Sequence, residues 1–221
     1  MKKINPQLTQ DFLIDIKNQE SKILDIDGIQ IQTCKNVFPP QSKFSHSSIE
    51  LHHVFGDLKN KKVLDIGTGT GIHAIRAAKM GAQKVVAVDI NKDAVKCAQD
   101  NAQRNGVGEI VEVIESDVFE NVPKDKFDLI IANLPITDFP IEGIIESSLY
   151  DPEYQIHKRF LEEAKSYVSP EGNIAITHIN FKGEDDFSDF EMMIGRYGYR
   201  VLSFEEIDAI GYKWRYYKVG V

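Results

Sequence analysis

Residues 63–71 read Val-Leu-Asp-Ile-Gly-Thr-Gly-Thr-Gly, and this stretch decides the fold. A short apolar run ends at Ile66, a glycine-rich turn follows, and a helical pattern begins near Gly71. Glycine lets the backbone turn tightly and approach a ligand, and α/β folds bind ligands at such turns beside the carboxyl ends of their strands. A dinucleotide fingerprint would require glycine at position 72, which is isoleucine. The spacing therefore predicts a ligand-binding strand-turn-helix unit and disfavours a nicotinamide-dependent dehydrogenase.

Strands and helices alternate after residue 60. Brief apolar runs, typical of parallel strands buried on both faces, occur at 63–66, 85–89, 110–114, 129–132 and 174–177. The predicted helices are 71–80, 92–105, 152–168 and 187–197. Two final strands, 201–207 and 212–219, have so short a connection that they must be antiparallel. We predict an α/β fold with a doubly wound, Rossmann-like sheet, mostly parallel with an antiparallel C-terminal strand.

The first 60 residues depart from this alternation. We interpret them, in order, as a helix at 6–18, a hairpin at 22–33 that turns at Asp27-Gly28, and a helix at 45–58. So short a segment buries too little apolar surface to fold alone. We expect residues 1–60 to be an N-terminal extension that covers cofactor and substrate, and residues 61–221 to be the ligand-binding domain.

Composition narrows the classes of partner. The 221 residues include 26 Lys and Arg against 34 Asp and Glu, a formal net charge of -8. An acidic balance disfavours bulk binding to nucleic acid or anionic membranes, which basic surfaces favour. No secretory signal follows the N-terminal lysines, and the apolar runs are too short to span a bilayer. We expect a soluble cytoplasmic protein with no membrane association, and its oligomeric state stays open.

Cysteine and histidine indicate neither a disulfide framework nor a metal centre. Cys34 and Cys97 are too few for such a framework and lack the neighbouring ligands of a zinc site. The six histidines show no metal-binding spacing. We expect a reducing compartment and no metal.

Acidic residues follow the next two strands. Asp89 lies 20 residues beyond Gly69, where a carboxylate can accept hydrogen bonds from both hydroxyls of a ribose. Ser116 and Asp117 follow the third strand, and Asp117 is placed to accept the exocyclic amine of an adenine. These positions favour a nucleoside-containing cofactor.

Over residues 60–180, this combination of motifs resembles the class I S-adenosylmethionine-dependent methyltransferases, and residues 74–107 resemble the ribosomal protein L11 methyltransferases. The resemblance implies that S-adenosylmethionine is the cofactor. It assigns the methionine part to Asp65 and the backbone of Gly67, Thr68, Gly69 and Gly71, the ribose to Asp89 beside Ile90, and the adenine to Asp117 and Val118.

The fourth strand ends in Asn133-Leu134-Pro135-Ile136. This is similar to the Asn-Pro-Pro-Tyr signature of enzymes that methylate planar nitrogens, including the glutamine methyltransferases of release factors, and Asn-Leu-Pro is similar to the start of the signature in rRNA adenine dimethyltransferases. The resemblance implies that Asn133, Leu134 and Pro135 are catalytic and that Asn133 also borders the cofactor. An amide is a poor nucleophile, so holding its N–H groups and pointing its nitrogen at the sulfonium methyl does most of the work.

Ile136 departs from that signature because it has no aromatic face to stack on the acceptor. We therefore expect Phe38 or Phe139 to supply an aromatic ring instead, and we count Phe38, Pro39 and Ile136 as substrate residues. We expect the acceptor to be a planar nitrogen of a protein amide; the alternative is an RNA base or a small metabolite, and a non-catalytic cofactor-binding partner protein is the alternative of another class. Residues 213–218 interleave basic and aromatic residues as an RNA surface does, but a half-buried strand explains the pattern better.

Overall fold

The glycine-rich turn lies at the centre of one large sheet. The computed structural model describes residues 6–41, 47–137, 139–140, 142–180 and 186–221, with the side chains of residues 6–8 and 47 left out. Within these residues, seven strands form a sheet in the order β5-β4-β3-β6-β7-β9-β8. The strands of this sheet are β3 (Lys62–Ile66), β4 (Lys84–Asp89), β5 (Val111–Glu115), β6 (Phe127–Ala132), β7 (Val168–Ile179), β8 (Arg200–Ala209) and β9 (Tyr212–Gly220). Only β9 runs antiparallel to its neighbours, which confirms the predicted fold class.

Helices cover both faces of this sheet. They are α1 (Pro6–Lys17), α2 (Ser47–Glu50), α3 (Ile72–Lys79), α4 (Lys92–Arg104), α5 (Gln155–Ala164) and α6 (Asp186–Arg196). One buried cluster joins Val63 of β3 to α3 and α4, and another joins the next residue, Leu64, to α5 and α6. Successive side chains of a strand point to opposite faces, so an unbroken apolar run is what a sheet covered on both sides requires.

Turn chemistry explains both hairpins. In the extension, β1 (Ile23–Ile26) and β2 (Ile29–Gln32) join through Asp27 and Gly28, which have φ of 53° and 78°. The β8–β9 loop, Ile210 and Gly211, has φ of 55° and 76°. Two successive positive φ angles form the turn whose twist matches antiparallel strands. The predicted hairpin at 22–33 and the antiparallel C-terminal pair are confirmed.

Two predicted helices have different bounds. The segment predicted as a helix at 45–58 contains α2 and a 3₁₀ turn at Leu51–Val54, and it then leaves the helical path at Gly56, whose φ is 77°; residues 45 and 46 lie outside the described part. The helix predicted at 152–168 begins only at Gln155, because Glu153 and Tyr154 are left-handed. Its end was also wrong, since Val168 pairs with Phe127 and begins β7.

The extension shares the core of the main sheet. Ile29, Ile31, Leu51 and Phe55 belong to the same buried cluster as Val63. Two asparagine side chains of α4 also bind the backbone of β2. Asn101 accepts from the N–H of Gln32 and donates to its carbonyl, and Asn105 does the same with Gln30, at 2.8–3.0 Å. Residues i and i+4 of a helix lie on one face, so the pair acts like a neighbouring strand.

The two cysteines are joined, contrary to the expectation from a reducing compartment. Cys34, just after β2, forms a disulfide with Cys97 of α4, with the Cα atoms 6.1 Å apart. The two cysteines are 63 positions apart in the sequence, and only the packing of β2 on α4 brings their sulfurs together, so no local pattern predicts the disulfide. No helix in the described part of the chain is long and apolar enough to cross a bilayer.

Candidate active site

A cavity of about 570 Å³ lies at the carboxyl edge of the sheet. The ends of β3, β4, β6 and β7 reach it, as do the segment after β5, the start of β9 and parts of the extension. This is the edge at which open α/β sheets bind their ligands, next to the point where strand order reverses between β3 and β6.

Backbone hydrogen bonds hold the glycine loop open. The N–H groups of Gly67 and Thr68 both donate to the Val88 carbonyl at 2.9 Å. Gly71 has φ of 84°, and a Cβ there would lie 3.1 Å from the Cα and Cβ of Ala98 in α4. Glycine at 71 is therefore required both by the left-handed backbone and by close packing of α3 on α4.

Asp65 is buried below this loop. Its Oδ2 accepts a hydrogen bond of 2.6 Å from the Thr68 hydroxyl, whereas Oδ1 has no hydrogen-bond partner. Burial raises the pKa of Asp65 to about 7, against the lowering effect of the Thr68 hydroxyl. An unpartnered buried carboxylate oxygen of this kind favours a cation or another hydrogen-bond donor beside it.

Asp89 ends β4 and connects the glycine loop to α4. Its Oδ2 accepts from the Gly69 N–H and its Oδ1 from the Asn91 N–H, both at 2.9 Å. Burial raises its pKa. Asn91 caps α4 by accepting from the Asp93 N–H. Ile90 is 44% exposed, and its side chain forms part of the cavity rim.

The segment after β5 is shaped by an unusual backbone conformation. Val118 is 8% exposed and has φ of 50°, a conformation that branched side chains rarely adopt. The Ser116 hydroxyl donates to the Val118 carbonyl at 3.1 Å. Asp117 lines the cavity, but its Oδ2 also pairs with Arg159 of α5 at 2.8 Å, a partner that the sequence gave no reason to expect.

The extension supplies one wall of the cavity. Phe38 lines the cavity, its ring packs edge-on against Phe12 of α1 with centroids 5.3 Å apart, and its carbonyl lies over Gly69. The disulfide lies four residues before Phe38, and the Asn91 amide donates to the Asn36 carbonyl at 2.8 Å. Pro39 is buried and is not among the residues that line the cavity.

The glycine loop, the end of β4 and the segment after β5 form one half of the cavity, and Asn133, directly after β6, begins the other half. Strand register pairs Ile66 with Ala132, so Gly67 and Asn133 follow paired residues on neighbouring strands. The Asn133 amide N–H donates to the Ser48 hydroxyl of α2 at 3.1 Å, and this contact orients the amide. Leu134, Pro135 and Ile136 also line the cavity. Phe139 does not, since its ring packs against Tyr150 instead.

Residues that the motifs did not indicate complete this half of the cavity. Ile179 of β7 and Tyr212 and Trp214 of β9 line it. So does His73 of α3, whose two ring nitrogens have no hydrogen-bond partner and whose pKa is lowered to about 3 by burial and by nearby Arg76. Within the described residues, no group of three His, Cys, Asp or Glu side chains is arranged to hold a metal ion.

Comparison with known proteins identifies the family. A proposed protein N5-glutamine methyltransferase of Methanocaldococcus jannaschii is 38% identical over 170 residues, covering 74% of this chain and 83% of that protein. The chain belongs to the S-adenosylmethionine-dependent methyltransferases. The family model for ribosomal protein L11 methyltransferase (PrmA) matches residues 47–146. This membership rules out the dehydrogenase interpretation.

Other matches are partial or structural. The L11 methyltransferase of Desulforamulus reducens is 50% identical over 74 residues, but these are 34% of this chain and only 24% of that protein. The crystal structure of an M. jannaschii tRNA m1G37 methyltransferase superposes with a TM-score of 0.66 at 20% identity, covering 92% of this chain and 55% of that one. At that identity the likeness shows the fold alone.

The cavity of the methyltransferase fits S-adenosylmethionine. Asp65 does not itself line the cavity; it lies beneath the glycine loop, where its unpartnered Oδ1 would attract the cofactor's ammonium group, and the open glycine loop leaves room for the methionine backbone. Each Asp89 oxygen accepts one backbone N–H and retains a lone pair for a ribose hydroxyl. Negative charge at the strand ends also suits a cationic sulfonium.

Proposed function

We propose that this methyltransferase transfers the methyl group of S-adenosylmethionine to a planar nitrogen, with a protein side-chain amide as the acceptor. The observation that carries the proposal is Asn133, which follows β6 directly beside the glycine loop, lines the cavity and has its amide oriented by Ser48. The M. jannaschii relative, described as a protein N5-glutamine methyltransferase, supports the choice of an amide.

The residues divide the work between cofactor and acceptor. Asp65 and the backbone of Gly67–Gly71 hold the methionine part, Asp89 with Ile90 the ribose, and Asp117 with Val118 the adenine. Phe38 and its neighbours in the extension cover the cofactor. Pro39 is buried and supports the loop that carries Phe38 instead of contacting substrate. The unit of residues 1–60 thus acts as a cover for the domain at 61–221.

Bound S-adenosylmethionine supplies an electrophilic methyl group on a sulfonium. The Asn133 side-chain oxygen accepts an N–H of the acceptor, and Leu134 and Pro135 shape the backbone that fixes its position. Asp65, the glycine loop and Asp89 would hold the cofactor so that its methyl group faces the acceptor nitrogen beside Asn133, and the proton released by the methylated nitrogen would pass to solvent. No strong base is required, because orientation and exclusion of water provide most of the rate enhancement.

A test separates binding from transfer. Calorimetry with S-adenosylhomocysteine should show binding that Asp89→Ala weakens at least tenfold, since hydrogen bonds to a charged group contribute about 1.5–3 kcal/mol each. Asn133→Ala should leave this affinity within threefold but lower tritium transfer from labelled cofactor into a cell lysate by roughly 100-fold. Gln83→Ala, which removes an exposed amide just before β4 and outside the cavity lining, is the control. Unchanged transfer by Asn133→Ala would refute the role of Asn133.

An RNA base is the second candidate acceptor, because Asn133-Leu134-Pro135 is similar to the start of the signature in rRNA adenine dimethyltransferases. The net charge of -8 and the burial of Trp214, Tyr216 and Tyr217 in β9 weigh against a large RNA surface. Fractionating the labelled lysate into protein, RNA and small molecules decides among the acceptors. We also propose that the reaction takes place in the cytoplasm.

A further inference from the structure

The half of the cavity beyond Asn133 has an aromatic wall. Because β9 is antiparallel, its first residues lie at the same sheet edge as the last residues of β6 and β7. Trp214 pairs with Ile179 across the β7–β9 ladder, and Tyr212 lies two residues nearer the hairpin turn. Along this edge the cavity runs from the glycine loop, past Asn133, to Tyr212 and Trp214.

This wall is held in place. Trp214 is only 5% exposed, and its indole N–H donates to the Ala209 carbonyl at 3.2 Å, across the left-handed turn at Ile210 and Gly211. Ile136 and Tyr212 pack against the same buried cluster that contains Trp214. Ile136, the signature residue that lacks a ring, therefore packs against the same cluster as Tyr212 and Trp214.

The described residues that line this half carry no charge. Among the described residues that line the whole cavity, the carboxylates are Asp89 and Asp117, and both lie at the cofactor half, at the ends of β4 and β5; no lysine or arginine is among them. Ile179, which pairs with Trp214, and Ile136, which packs against the same cluster, are apolar. A carboxylate that left water for this site would meet no lysine or arginine among the described lining residues, and its desolvation would be costly.

We propose that Tyr212 and Trp214 form the surface on which the methyl acceptor packs, and that this half of the cavity selects the neutral side-chain amide of a peptide and rejects the isosteric carboxylate. The inference rests on the proposed function and deepens it. The two rings supply the planar contact that Ile136 cannot make, and the uncharged lining discriminates glutamine from glutamate.

Trp214 makes the inference directly measurable, because it is the single tryptophan of the chain. The probes are two acetylated and amidated pentapeptides, Ala-Ala-Gln-Ala-Ala and Ala-Ala-Glu-Ala-Ala, and adenosine, each titrated into protein saturated with S-adenosylhomocysteine. We expect the glutamine peptide to change tryptophan fluorescence saturably, with a Kd at least tenfold lower than those of the glutamate peptide and adenosine.

Two variants test the wall itself. Tyr212→Leu should raise the Kd of the glutamine peptide at least fivefold, and Tyr212→Phe, which keeps the ring, should restore it. Calorimetry with S-adenosylhomocysteine reports separately on the cofactor site and on correct folding of each variant.

The outcomes are distinguishable. Failure of S-adenosylhomocysteine to bind the unmodified protein would refute the proposed function. Normal cofactor binding with no fluorescence response to the glutamine peptide would overturn only the aromatic wall. Equal affinity for the glutamate peptide would overturn the selection by charge, and tighter binding of adenosine would overturn the amide in favour of a base.

Discussion

The protonation state of Asp65 should control cofactor affinity near neutral pH. Burial raises the pKa of this carboxyl to about 7, so in the free protein about ten molecules in eleven carry protonated Asp65 at pH 6 and about one in eleven at pH 8. The cofactor's ammonium group favours the ionised form, because the unpartnered Oδ1 gains an opposite charge there. If only that form binds, the apparent Kd should fall about tenfold from pH 6 to pH 8.

Calorimetry with S-adenosylhomocysteine at both pH values, in two buffers of different ionisation enthalpy, measures this effect. Binding should release close to one proton at pH 6 and about a tenth of a proton at pH 8. Asp65→Asn cannot titrate and should bind weakly, with a flat pH profile. Asp89, whose pKa is also raised, is the competing source of pH dependence. If Asp65→Asn kept the full tenfold change in Kd between pH 6 and pH 8, the effect would belong to Asp89 and the role of Asp65 would be refuted.

The same pKa affects folding. Because the pKa of Asp65 in the folded protein lies above its ordinary value of 3.8, the folded state binds more protons than the unfolded state between about pH 4 and pH 7. The free energy of unfolding of the cofactor-free protein should therefore fall as pH rises through this window, by at most about 4 kcal/mol from this group, and level off above it. Urea unfolding across that range, compared with Asp65→Asn, checks the sign.

Two further predictions concern the parts that shape the cavity. Reducing the Cys34–Cys97 disulfide, which closes a loop spanning 63 positions, should lower the free energy of unfolding by about 4 kcal/mol in denaturant titrations. Reductant should have no effect on the Cys34→Ala/Cys97→Ala double variant. Identical unfolding curves for the native protein with and without reductant would contradict the pairing. Gly71→Ala should lower the free energy of unfolding by about 1–3 kcal/mol and weaken cofactor binding, because it combines a left-handed backbone with a Cβ 3.1 Å from Ala98. Gly106→Ala should lower it by less, because Gly106 has φ of 69° but open space around it.

Local sequence patterns predicted most of the fold. Unbroken apolar runs predicted β3, β4 and β6 within one or two residues, and the Asp27-Gly28 turn predicted the first hairpin, because burial on both faces and positive φ angles restrict which residues can occupy those positions. The errors lie where the helical pattern continued past a left-handed residue, at Gly56 and at Tyr154.

The sequence by itself determined which groups meet in the proposed cofactor half: Asp65, the glycine loop and Asp89 lie at adjacent strand ends, so their meeting follows once the strands are parallel. Only the tertiary structure decided the composition of the proposed acceptor half and of the proposed cover. Ser48 meets Asn133 across 85 positions, Arg159 meets Asp117 across 42, and Trp214 reaches the cavity because β9 inserts antiparallel between β7 and β8. Such contacts depend on the order of strands in the sheet, and no periodicity or turn signal within a segment encodes that order.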